Sequence, residues 1–477
     1  MLFNSLEYLI FLPLVVIIYW WLNKRAIIYQ NTFLLMMSYL FYGMWNWKFL
    51  FLLIFSTLLD YYSAIKIERS STRAKKKFWL ILSVGINLGF LGLFKYFNFF
   101  AEIVSDLANL FGQNSAFVKL DFLLPVGISF YTFHGLSYVF DCYNDKIAVR
   151  KNFIDYGLFV SFFPLLVAGP IERANHLLPQ IENKRIFSNA YAVNGMRQIL
   201  WGLFKKIVIA DNCAIFANTI FDNYTDYSGS TLMVGAILFA FQIYGDFSGY
   251  SDIALGSAKL MGFDLLKNFS FPYFSRNLAE FWKRWHISLS SWFRDYLYIP
   301  LGGNQSGTFK RVVNVMVVFL VSGFWHGANW TFIAWGLLNS IFVITDNFVI
   351  KAKMNGVVAA GRIFPNLKEI VQVVSTLLCV SILWIFFRAE SLSIALEYIK
   401  RLFTNGLFTM PVVRPSIVFI LIMFMLVLEW LGREKDFALQ NMYQIKNKYL
   451  RWSIYNMILA IILLFGATPQ TFIYFQF

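Results

Sequence analysis

Charged residues are scarce in this chain, and apolar stretches fill most of its length. Asp, Glu, Lys and Arg make up only 14% of the 477 residues, against about 25% in a typical soluble domain. Hydrophobic residues make up 58%, and the mean hydropathy is +0.59. So little polar surface cannot cover a water-soluble globule of this size. The composition therefore excludes a soluble protein and predicts an integral membrane protein.

Cysteine and histidine are also rare. The three cysteines, Cys142, Cys213 and Cys379, lie far apart without CxxC spacing, which argues against a disulfide framework or a zinc site. None of the four histidines has a companion at HxxxH or HExxH spacing, so we predict no metal site. The sequence also has no GxSxG elbow, Walker loop or GxGxxG after a strand, which disfavours a serine-triad hydrolase and an ATPase.

Basic residues outnumber acidic ones by 41 to 26, which gives a net charge of +15. We predict no nucleic-acid binding, because these residues sit in short loops between apolar stretches and no recognition motif accompanies them.

Loops rich in Lys and Arg face the cytoplasm in membrane proteins. This rule places the loops at 66–77, 145–151, 259–311 and 433–451 inside, and the Lys- and Arg-free loops at 101–114 and 222–230 outside. The first 25 residues lack the features of a cleavable signal peptide, so we expect them to form the first span, with both termini outside.

A membrane helix needs about 20 mostly apolar residues. Candidate spans lie near 6–22, 26–43, 47–65, 77–99, 121–141, 194–220, 231–257, 369–387, 413–431 and 453–470. We find no internal repeat and no linker of a soluble domain. We therefore predict an all-α polytopic membrane protein, with roughly ten or more transmembrane helices, in a single membrane domain over residues 1–477.

Two further apolar pieces have unusual lengths. Residues 153–170 have basic flanks on both sides but are too short to cross twice, so we predict a re-entrant segment that ends where Gly169 and Pro170 break the helix. Residues 312–349 also start and end on the basic side. With "SGFWHGAN" at the middle of this piece and glycines that allow a bend, we predict a bent helical hairpin with His326 near its turn.

His326 lies between a tryptophan and a glycine, at what the pattern places at bilayer depth. Ionisable residues there usually face an internal cavity and mark a functional route. A neutral imidazole bordering a hydrated passage can take a proton from a hydroxyl or thiol that attacks a thioester. The alternative is a core histidine that joins helices through hydrogen bonds.

A second tryptophan-flanked histidine, His286, lies in "FWKRWHISLSSWF". Trp282 and His286 are four apart, as are Trp285 and Leu289, so we predict one amphipathic helix that stops at "IPLGG". Its polar side carries Lys283, Arg284, Ser288, Ser291 and Asp295. This side is interpreted as an interfacial surface that touches lipid phosphates, as a site for a phosphate-bearing donor such as coenzyme A, or as both.

The stretch "YGDFSGYSDIALG" at 244–256 is a third polar island within an apolar run. Asp246 and Tyr250 share a helix face, whereas Asp252 lies well round the helix from Asp246. These residues form either a polar seam between helices or a site in which a carboxylate orients a catalytic histidine or lines the substrate path.

Together these motifs resemble the membrane-bound O-acyltransferase superfamily, most closely its alginate O-acetylation branch, and they are also similar to peptidoglycan O-acetyltransferases. The resemblance rests on "FWKRWHISLSSWFRDYLYIPLGGN", "SGFWHGANWTFIAWG", "DFSGYSDIALG", the opening "MLFNSLEYLIFLP" and the closing "FIYFQF". It implies a fold of many helices, with re-entrant and interfacial helices, around a central funnel or tunnel. It also implies a place in the inner membrane of the cell, where an acyl group leaves a cytoplasmic thioester and modifies an acceptor outside.

The resemblance further implies roles for individual residues. His326 is similar to the family's catalytic histidine, and His286 to its second, supporting one. We expect supporting or tunnel-lining roles for Trp325, Asn329, Trp285, Asp246, Asp252 and Tyr250, and donor binding by Lys283, Arg284 and Arg294. No bound cofactor or metal is implied, because acetyl-CoA or another acyl thioester is the donor substrate. The final transfer to sugar is implied to belong to an extracytoplasmic SGNH-type acetyltransferase partner.

The leading hypothesis is therefore an enzyme embedded in membrane lipids that O-acetylates an exported, alginate-like polysaccharide. Peptidoglycan O-acetylation is the nearest alternative, followed by transfer to teichoic acid or another glycan. A polysaccharide or lipid transporter or flippase without chemistry is a different class. Transporters often show inverted repeats with broken helices in both halves, whereas both histidine motifs lie in the second half here. A purely structural scaffold leaves two ionisable groups at costly positions unexplained.

Overall fold

The computed structural model describes residues 1–112, 120, 123–305, 307–350 and 356–473. Every regular element within these ranges is helical, which confirms the all-α fold class. The first helices are α1 (Leu6–Leu22), α2 (Ile27–Arg69), α3 (Arg73–Leu91), α4 (Phe97–Leu110), α5 (Ile128–Tyr143), α6 (Phe153–Ser161), α7 (Phe163–Leu166), α8 (Ala174–Glu182), α9 (Asn189–Leu203) and α10 (Asp211–Asp222). They are followed by α11 (Gly229–Leu260), α12 (Leu278–Arg284), α13 (Ile287–Phe293), α14 (Gly307–His326), α15 (Trp330–Ile344), α16 (Leu367–Arg388), α17 (Leu392–Thr404), α18 (Ser416–Gly432) and α19 (Lys448–Phe465). Short π-helical segments lie at Gly92–Tyr96, Phe204–Ala210, Arg294–Tyr298 and Thr345–Val349, and short 3-10 helices at Tyr224–Asp226, Pro272–Phe274 and Gln440–Gln444.

Several of these helices are long and apolar enough to cross a membrane. Among the described residues there are six such stretches, at Ile27–Arg69, Arg73–Leu110, Gly229–Leu260, Gly307–His326, Leu367–Arg388 and Lys448–Phe465. Helices α1 and α18 are apolar but shorter. The chain is therefore a multi-pass membrane protein, while the number of ten or more spans stays a prediction.

Most of the spans expected from the sequence coincide with helices. The two stretches near 26–43 and 47–65 are the halves of α2, which is interrupted at Asn46 by a non-helical φ of −159° and ψ of 109°. The Asn46 side chain accepts a hydrogen bond from the Lys48 backbone N–H, as an N-cap does at the start of a helix. The span near 121–141 begins only at Ile128, and its first two residues lie outside the described ranges, as do the last two of the expected outer loop at 101–114.

The chain divides into two compact units. Unit 1 comprises Met1–Met196 and Ala254–Leu266, and unit 2 comprises Arg197–Ile253 and Lys267–Phe477. His286 and His326 both belong to unit 2. The single membrane domain expected from the sequence stays a prediction.

Buried polar contacts join the long helices of unit 1. Asp60 of α2 is buried, and Ser83 and Asn87 of α3 donate hydrogen bonds to its Oδ1 at 2.6 and 2.8 Å. Gly135 of α5 lies so close to this carboxyl that a Cβ on it would stand 1.9 Å from Asp60 Oδ2. A buried polar group is costly unless it is hydrogen-bonded. The contacts of Asp60 therefore fix α2 and α3 against each other, with α5 close by.

The expected re-entrant segment is a broken, buried helix in unit 1. The helix is interrupted at Phe162, which the sequence did not predict, and its second piece, α7, ends at Leu166. Gly169 and Pro170 lie in the non-helical chain that follows, as the sequence predicted. Pro164 occupies the first turn of α7, where its missing N–H needs no partner within the helix. The Ser38 hydroxyl accepts the first backbone N–H of α7 at 3.1 Å, which satisfies the broken end. The end of the helix before Gly169 and Pro170 is confirmed, and the placement of the segment in the membrane stays a prediction.

An ionic cluster around His176 fixes the chain after this segment. Glu172 is fully buried, and its Oε2 lies 2.9 Å from His176 Nδ1. The other ring nitrogen of His176, Nε2, lies 3.8 Å from Asp264 Oδ2. The Glu172 backbone N–H donates to His134 Nε2 at 3.1 Å, which gives that histidine a structural contact. The Asp264 and Glu172 carboxylates raise the pKa of His176 to about 10.

This cluster predicts that stability depends on pH above neutrality. A histidine has a pKa of about 6.5 in the unfolded chain, below its folded value of about 10. The imidazolium therefore contributes its full stabilisation below about pH 6.5 and loses it as the pH rises through about 10. We expect the thermal midpoint of the detergent-solubilised protein to fall over this window, and His176→Gln to flatten the fall. Identical pH profiles for the two proteins would contradict this role.

The hairpin expected at 312–349 is confirmed in unit 2. Helix α14 ends at His326, and α15 follows after a turn at 327–329. The two helices approach at their backbones, because a Cβ on Gly323 would lie 2.3 Å from the carbonyl oxygen of Phe332. A Cβ on Gly336 would likewise lie 2.4 Å from a backbone oxygen of α14. Small residues allow such close packing in membranes, and here they place His326 beside the turn.

Candidate active site

The imidazole of His326, at the end of α14, lies among aromatic rings. Its ring centroid is 4.9 Å from that of Trp325, 5.3 Å from that of Trp335 in α15 and 5.3 Å from that of Phe387 in α16. The residue is only 4% exposed. Any group that reaches the imidazole must therefore pass between these rings, and both the catalytic role of His326 and the hydrated passage expected beside it stay predictions.

His286 occupies a break between two short helices. Helix α12 ends at Arg284 and α13 begins at Ile287, while His286 between them has a φ of 45° and a ψ of 53°. The expectation of one continuous amphipathic helix is therefore wrong, since Trp282 and His286 do not share a helical face. The Ile287 backbone N–H instead donates to the Asn268 carbonyl oxygen at 2.9 Å, which holds the break open. The left-handed backbone costs about 1–2 kcal/mol, and strain of this kind concentrates at functional sites.

The ring of Trp325 lies next to both histidines. Its ring centroid lies 4.9 Å from that of His326 and 6.2 Å from that of His286. Phe247 of α11 packs edge-on against His286, with ring centroids 4.7 Å apart. Burial lowers the pKa of His286 to about 3, so its imidazole is neutral at pH 7. Two buried histidines from separate motifs thus lie next to the same indole ring.

Four large rings form a continuous surface next to this pair, which we call the aromatic wall: Trp285, Trp335, Trp384 and Phe387. Trp335 and Trp384 stack with ring centroids 5.6 Å apart. The centroid of Trp384 also lies 5.1 Å from that of Trp285 and 5.2 Å from that of Phe387. Sequence reasoning identified only Trp285 among the four. The available signal was the position of Trp335 and Trp384 inside apolar stretches, because tryptophan in membrane proteins usually gathers at the interfaces.

A profile of the membrane-bound O-acyltransferase family matches residues 35–387, a range that contains both histidines and the whole aromatic wall. The chain belongs to this family. It is therefore an enzyme, a membrane acyltransferase, and the resemblance inferred from the paired histidine motifs is confirmed.

Individual relatives agree with the family assignment. The chain is 39% identical over 409 residues to the probable alginate O-acetylase AlgI of Pseudomonas aeruginosa, which covers 85% of this chain and 75% of the relative. It is 38% identical over 408 residues to the probable alginate O-acetylase AlgI of Pseudomonas putida, with 85% and 81% covered. It is also 36% identical over 402 residues to a peptidoglycan O-acetyltransferase of Helicobacter pylori, with 78% and 73% covered.

In this acyltransferase, Asn329 holds the turn that follows His326. Its side-chain oxygen accepts the Thr331 backbone N–H at 3.0 Å and so caps the N-terminus of α15. Its side-chain nitrogen donates to the Glu390 carbonyl oxygen at 2.9 Å, which ties the turn to the end of α16. Asn329 therefore fixes the backbone of the turn next to His326, and its supporting role in the site stays a prediction.

The expected roles of Asp246 and Tyr250 are changed by a buried lysine. Asp246 Oδ1 lies 2.7 Å from Lys206 Nζ, and Asp211 Oδ1 lies 2.8 Å from the same nitrogen. The ammonium group stands 5.5 Å from the ring centroid of Tyr250, within the range of a cation–π contact. Asp246 and Tyr250 do share one face, as the sequence indicated, but the cation they surround is Lys206. These contacts favour a polar seam between helices over the orientation of a histidine. We call Lys206, Asp211, Asp246 and Tyr250 the polar seam.

Asp252, six residues after Asp246 in α11, also forms an ion pair with a lysine. Its Oδ2 lies 2.6 Å from Lys205 Nζ, and its Oδ1 accepts a hydrogen bond from the Gln198 side chain at 2.8 Å. Lys205 also donates to the Ser248 hydroxyl at 2.8 Å. Sequence reasoning missed both lysines, although the pair "KK" inside the apolar stretch at 194–220 was a visible signal.

The end of the described chain binds the same seam. The Ile473 backbone N–H donates to Asp246 Oδ2 at 2.7 Å, and the Gln470 carbonyl oxygen accepts from Lys206 Nζ at 3.0 Å. The ring centroid of Phe472 lies 4.6 Å from that of Tyr250. The closing motif "FIYFQF" thus begins within the core, and its last four residues, 474–477, lie outside the described ranges.

The three residues expected to bind the donor are in different situations. Lys283 is exposed, and Arg294 is exposed beside Asp295, with Arg294 Nε 2.9 Å from Asp295 Oδ1. Arg284 instead donates to Glu280 Oε1 at 2.8 Å and to the Gly356 carbonyl oxygen at 3.2 Å. Donor binding by these residues stays a prediction, and the engagement of Arg284 favours the two exposed cations.

Proposed function

We propose that this chain takes an acetyl group from a cytoplasmic thioester, acetyl-CoA or a related acyl donor, and passes it across the inner membrane for O-acetylation of an alginate-like polysaccharide. The observation that carries the proposal is the buried histidine pair joined by Trp325. The relatives from the two Pseudomonas species, both named alginate O-acetylases, support acetyl as the acyl group and alginate as the acceptor.

His326 is the general base in the proposed reaction. An acceptor hydroxyl oxygen attacks the thioester carbonyl carbon, and the imidazole takes the hydroxyl proton as the new C–O bond forms. The C–S bond then breaks, its electron pair leaves on the sulfur, and the imidazolium returns the proton to give the free thiol and the ester. His286, neutral because it is buried, supports His326 through Trp325, the ring that lies next to both. Both residues are nearly fully buried, so only water from the expected passage can compete with the acceptor hydroxyl.

A separate extracytoplasmic acetyltransferase of the SGNH type is the proposed partner for the last step. In that case the hydroxyl that attacks the thioester belongs to a carrier group, and the partner moves the acetyl group onward to the sugar. The proposal therefore assigns the final transfer to a site on the partner and the attack on the thioester to this chain.

Peptidoglycan is the second candidate acceptor. The relative from Helicobacter pylori is named a peptidoglycan O-acetyltransferase and is nearly as similar as the alginate relatives. Both acceptors are sugars with free hydroxyls outside the membrane, so the same histidine chemistry serves either one.

Complementation tests the proposal directly. The chain is produced in an alginate-forming bacterium whose own alginate O-acetylase gene has been deleted, with the partner genes left intact. We expect acetyl esters to return to the alginate, measured by proton NMR of the purified polymer, and label from [14C]acetyl-CoA to reach the polymer in membrane vesicles. Acetylation of peptidoglycan but not alginate would reject the alginate acceptor, and absence of label from both polymers would reject acetyl transfer.

A further inference from the structure

We infer that Phe387, one of the two rings of the aromatic wall that lie next to His326, limits the transferred group to a short acyl chain. This inference rests on the proposed acyl transfer and names the feature of the site that selects among thioesters. It concerns a residue that touches the catalytic imidazole and carries no chemistry of its own.

Trp325, Trp335 and Phe387 all lie next to the imidazole, and Phe387 is the one that α16 contributes. Its ring centroid lies 5.3 Å from that of His326, at an interplanar angle of 70°. It also meets Trp335 at 5.4 Å and Trp384 at 5.2 Å, so it fills the corner between the histidine and the tryptophans. Phe387 is 1% exposed. The reacting carbonyl must therefore enter a space whose walls are already in contact.

The ring of Phe387 cannot easily move away from His326, because other residues pack behind it. The ring of Phe332 stands edge-on against Phe387, with centroids 4.9 Å apart. Phe332 is in turn held by the hairpin, because a Cβ on Gly327 would lie 2.1 Å from its ring and one on Gly323 would lie 2.3 Å from its carbonyl oxygen. Protein interiors are packed as densely as organic crystals, so a ring that is supported in this way cannot shift to admit extra atoms.

The size of the acyl group follows from this packing. When the thioester carbonyl is within reach of His326, the remainder of the acyl chain must lie among the same rings. An acetyl group adds one methyl, whereas propionyl and butyryl groups add one and two further methylenes, each of which must displace part of the wall. One methylene that does not fit a pocket typically changes the specificity constant by roughly 10–200-fold. A wild-type preference for acetyl over butyryl is therefore expected to exceed tenfold.

Replacement of Phe387 by a smaller side chain tests the inference. Membrane vesicles from the complemented strain receive equal concentrations of acetyl-CoA, propionyl-CoA and butyryl-CoA, and the acyl groups bound to the polymer are counted by mass spectrometry. We expect Phe387→Ala to raise the ratio of butyryl to acetyl by at least roughly tenfold. Phe387→Leu keeps more of the packing and is expected to raise mainly the propionyl ratio, which covers the case in which the alanine variant does not accumulate.

Phe386 provides the matched control. It is the same residue type on the same helix, it is also buried at 5% exposure, and it points about 100° away from Phe387 around α16. Phe386→Ala removes the same atoms from the core and is expected to leave the acyl ratios unchanged.

Unchanged ratios in both Phe387 variants would overturn the inference while wild-type acetylation stands. A shift of the ratio in Phe386→Ala equal to that in Phe387→Ala would also overturn it, because general loosening of the core would then be the cause. Failure of wild-type vesicles to transfer any acyl group counts instead against the proposed function.

Discussion

Replacement of His326 by alanine is expected to abolish acetylation of the polymer while the protein still accumulates in the membrane. General-base catalysis by a positioned side chain contributes a factor of roughly 10²–10⁴ to a rate. His326 is the histidine at the turn of the hairpin, and its ring touches Trp325, Trp335 and Phe387. The measurement is the acetyl content of alginate in the complemented strain, normalised to the amount of the acyltransferase in its membranes.

Two glutamine variants separate lost chemistry from lost structure. His326→Gln keeps a polar side chain of similar reach but cannot take up a proton, so we expect acetylation to fall as far as in His326→Ala. His176→Gln makes the same change in the ionic cluster with Glu172 and Asp264, and it is expected to retain most of the acetylation. Normal acetylation by His326→Gln would show that the imidazole is not the base.

The position of His326 is the part of the site that the sequence predicts best. Glycines on both sides of the histidine indicated a bend, and the structure ends α14 at that residue. The same glycines explain the close approach of the two helices, because each leaves room for a neighbouring backbone or ring. A local pattern was sufficient here, since the bend, its glycines and the histidine lie within one short stretch of chain.

His286 shows where a local pattern fails. The four-residue spacing from Trp282 suggested a continuous helix, but the chain turns at His286 into the left-handed region. The partner that stabilises this turn is the Asn268 carbonyl, which belongs to a preceding loop. Helical periodicity reports the face of a helix and contains no information on such a contact. Strained backbone of this kind is found where the surrounding structure over-determines it.

The spacing of residues in the sequence could not predict the polar seam around Lys206 either. Its members come from the π-helical segment at Phe204–Ala210, from α10, from α11 and from the residues after α19. Each aspartate on its own was compatible with a role beside a histidine. The choice depended on which cation folds against it, and that is a property of the tertiary structure.

Replacement of Lys206 by methionine is expected to destabilise the protein strongly. Its ammonium nitrogen lies 2.8 Å from Asp211 Oδ1 and 2.7 Å from Asp246 Oδ1, and the residue is 1% exposed. Methionine has a similar shape, so the change removes the charge with little loss of packing. Two buried carboxylates are then left without their cation, and breaking a buried pair in this way typically costs about 3–5 kcal/mol.

Lys283→Met is the matched control for that prediction, because Lys283 is an exposed lysine of the same unit. We expect Lys206→Met to lower both the amount of protein in the membrane and the thermal midpoint in mild detergent, whereas Lys283→Met leaves both unchanged. The double variant Lys206→Met/Asp246→Asn removes one of the two stranded charges and keeps an acceptor for the Ile473 backbone N–H. It should therefore recover part of the lost stability. Equal midpoints for Lys206→Met and Lys283→Met would mean that Asp211 and Asp246 are accommodated without Lys206, and the seam would then not hold the end of the chain against α11.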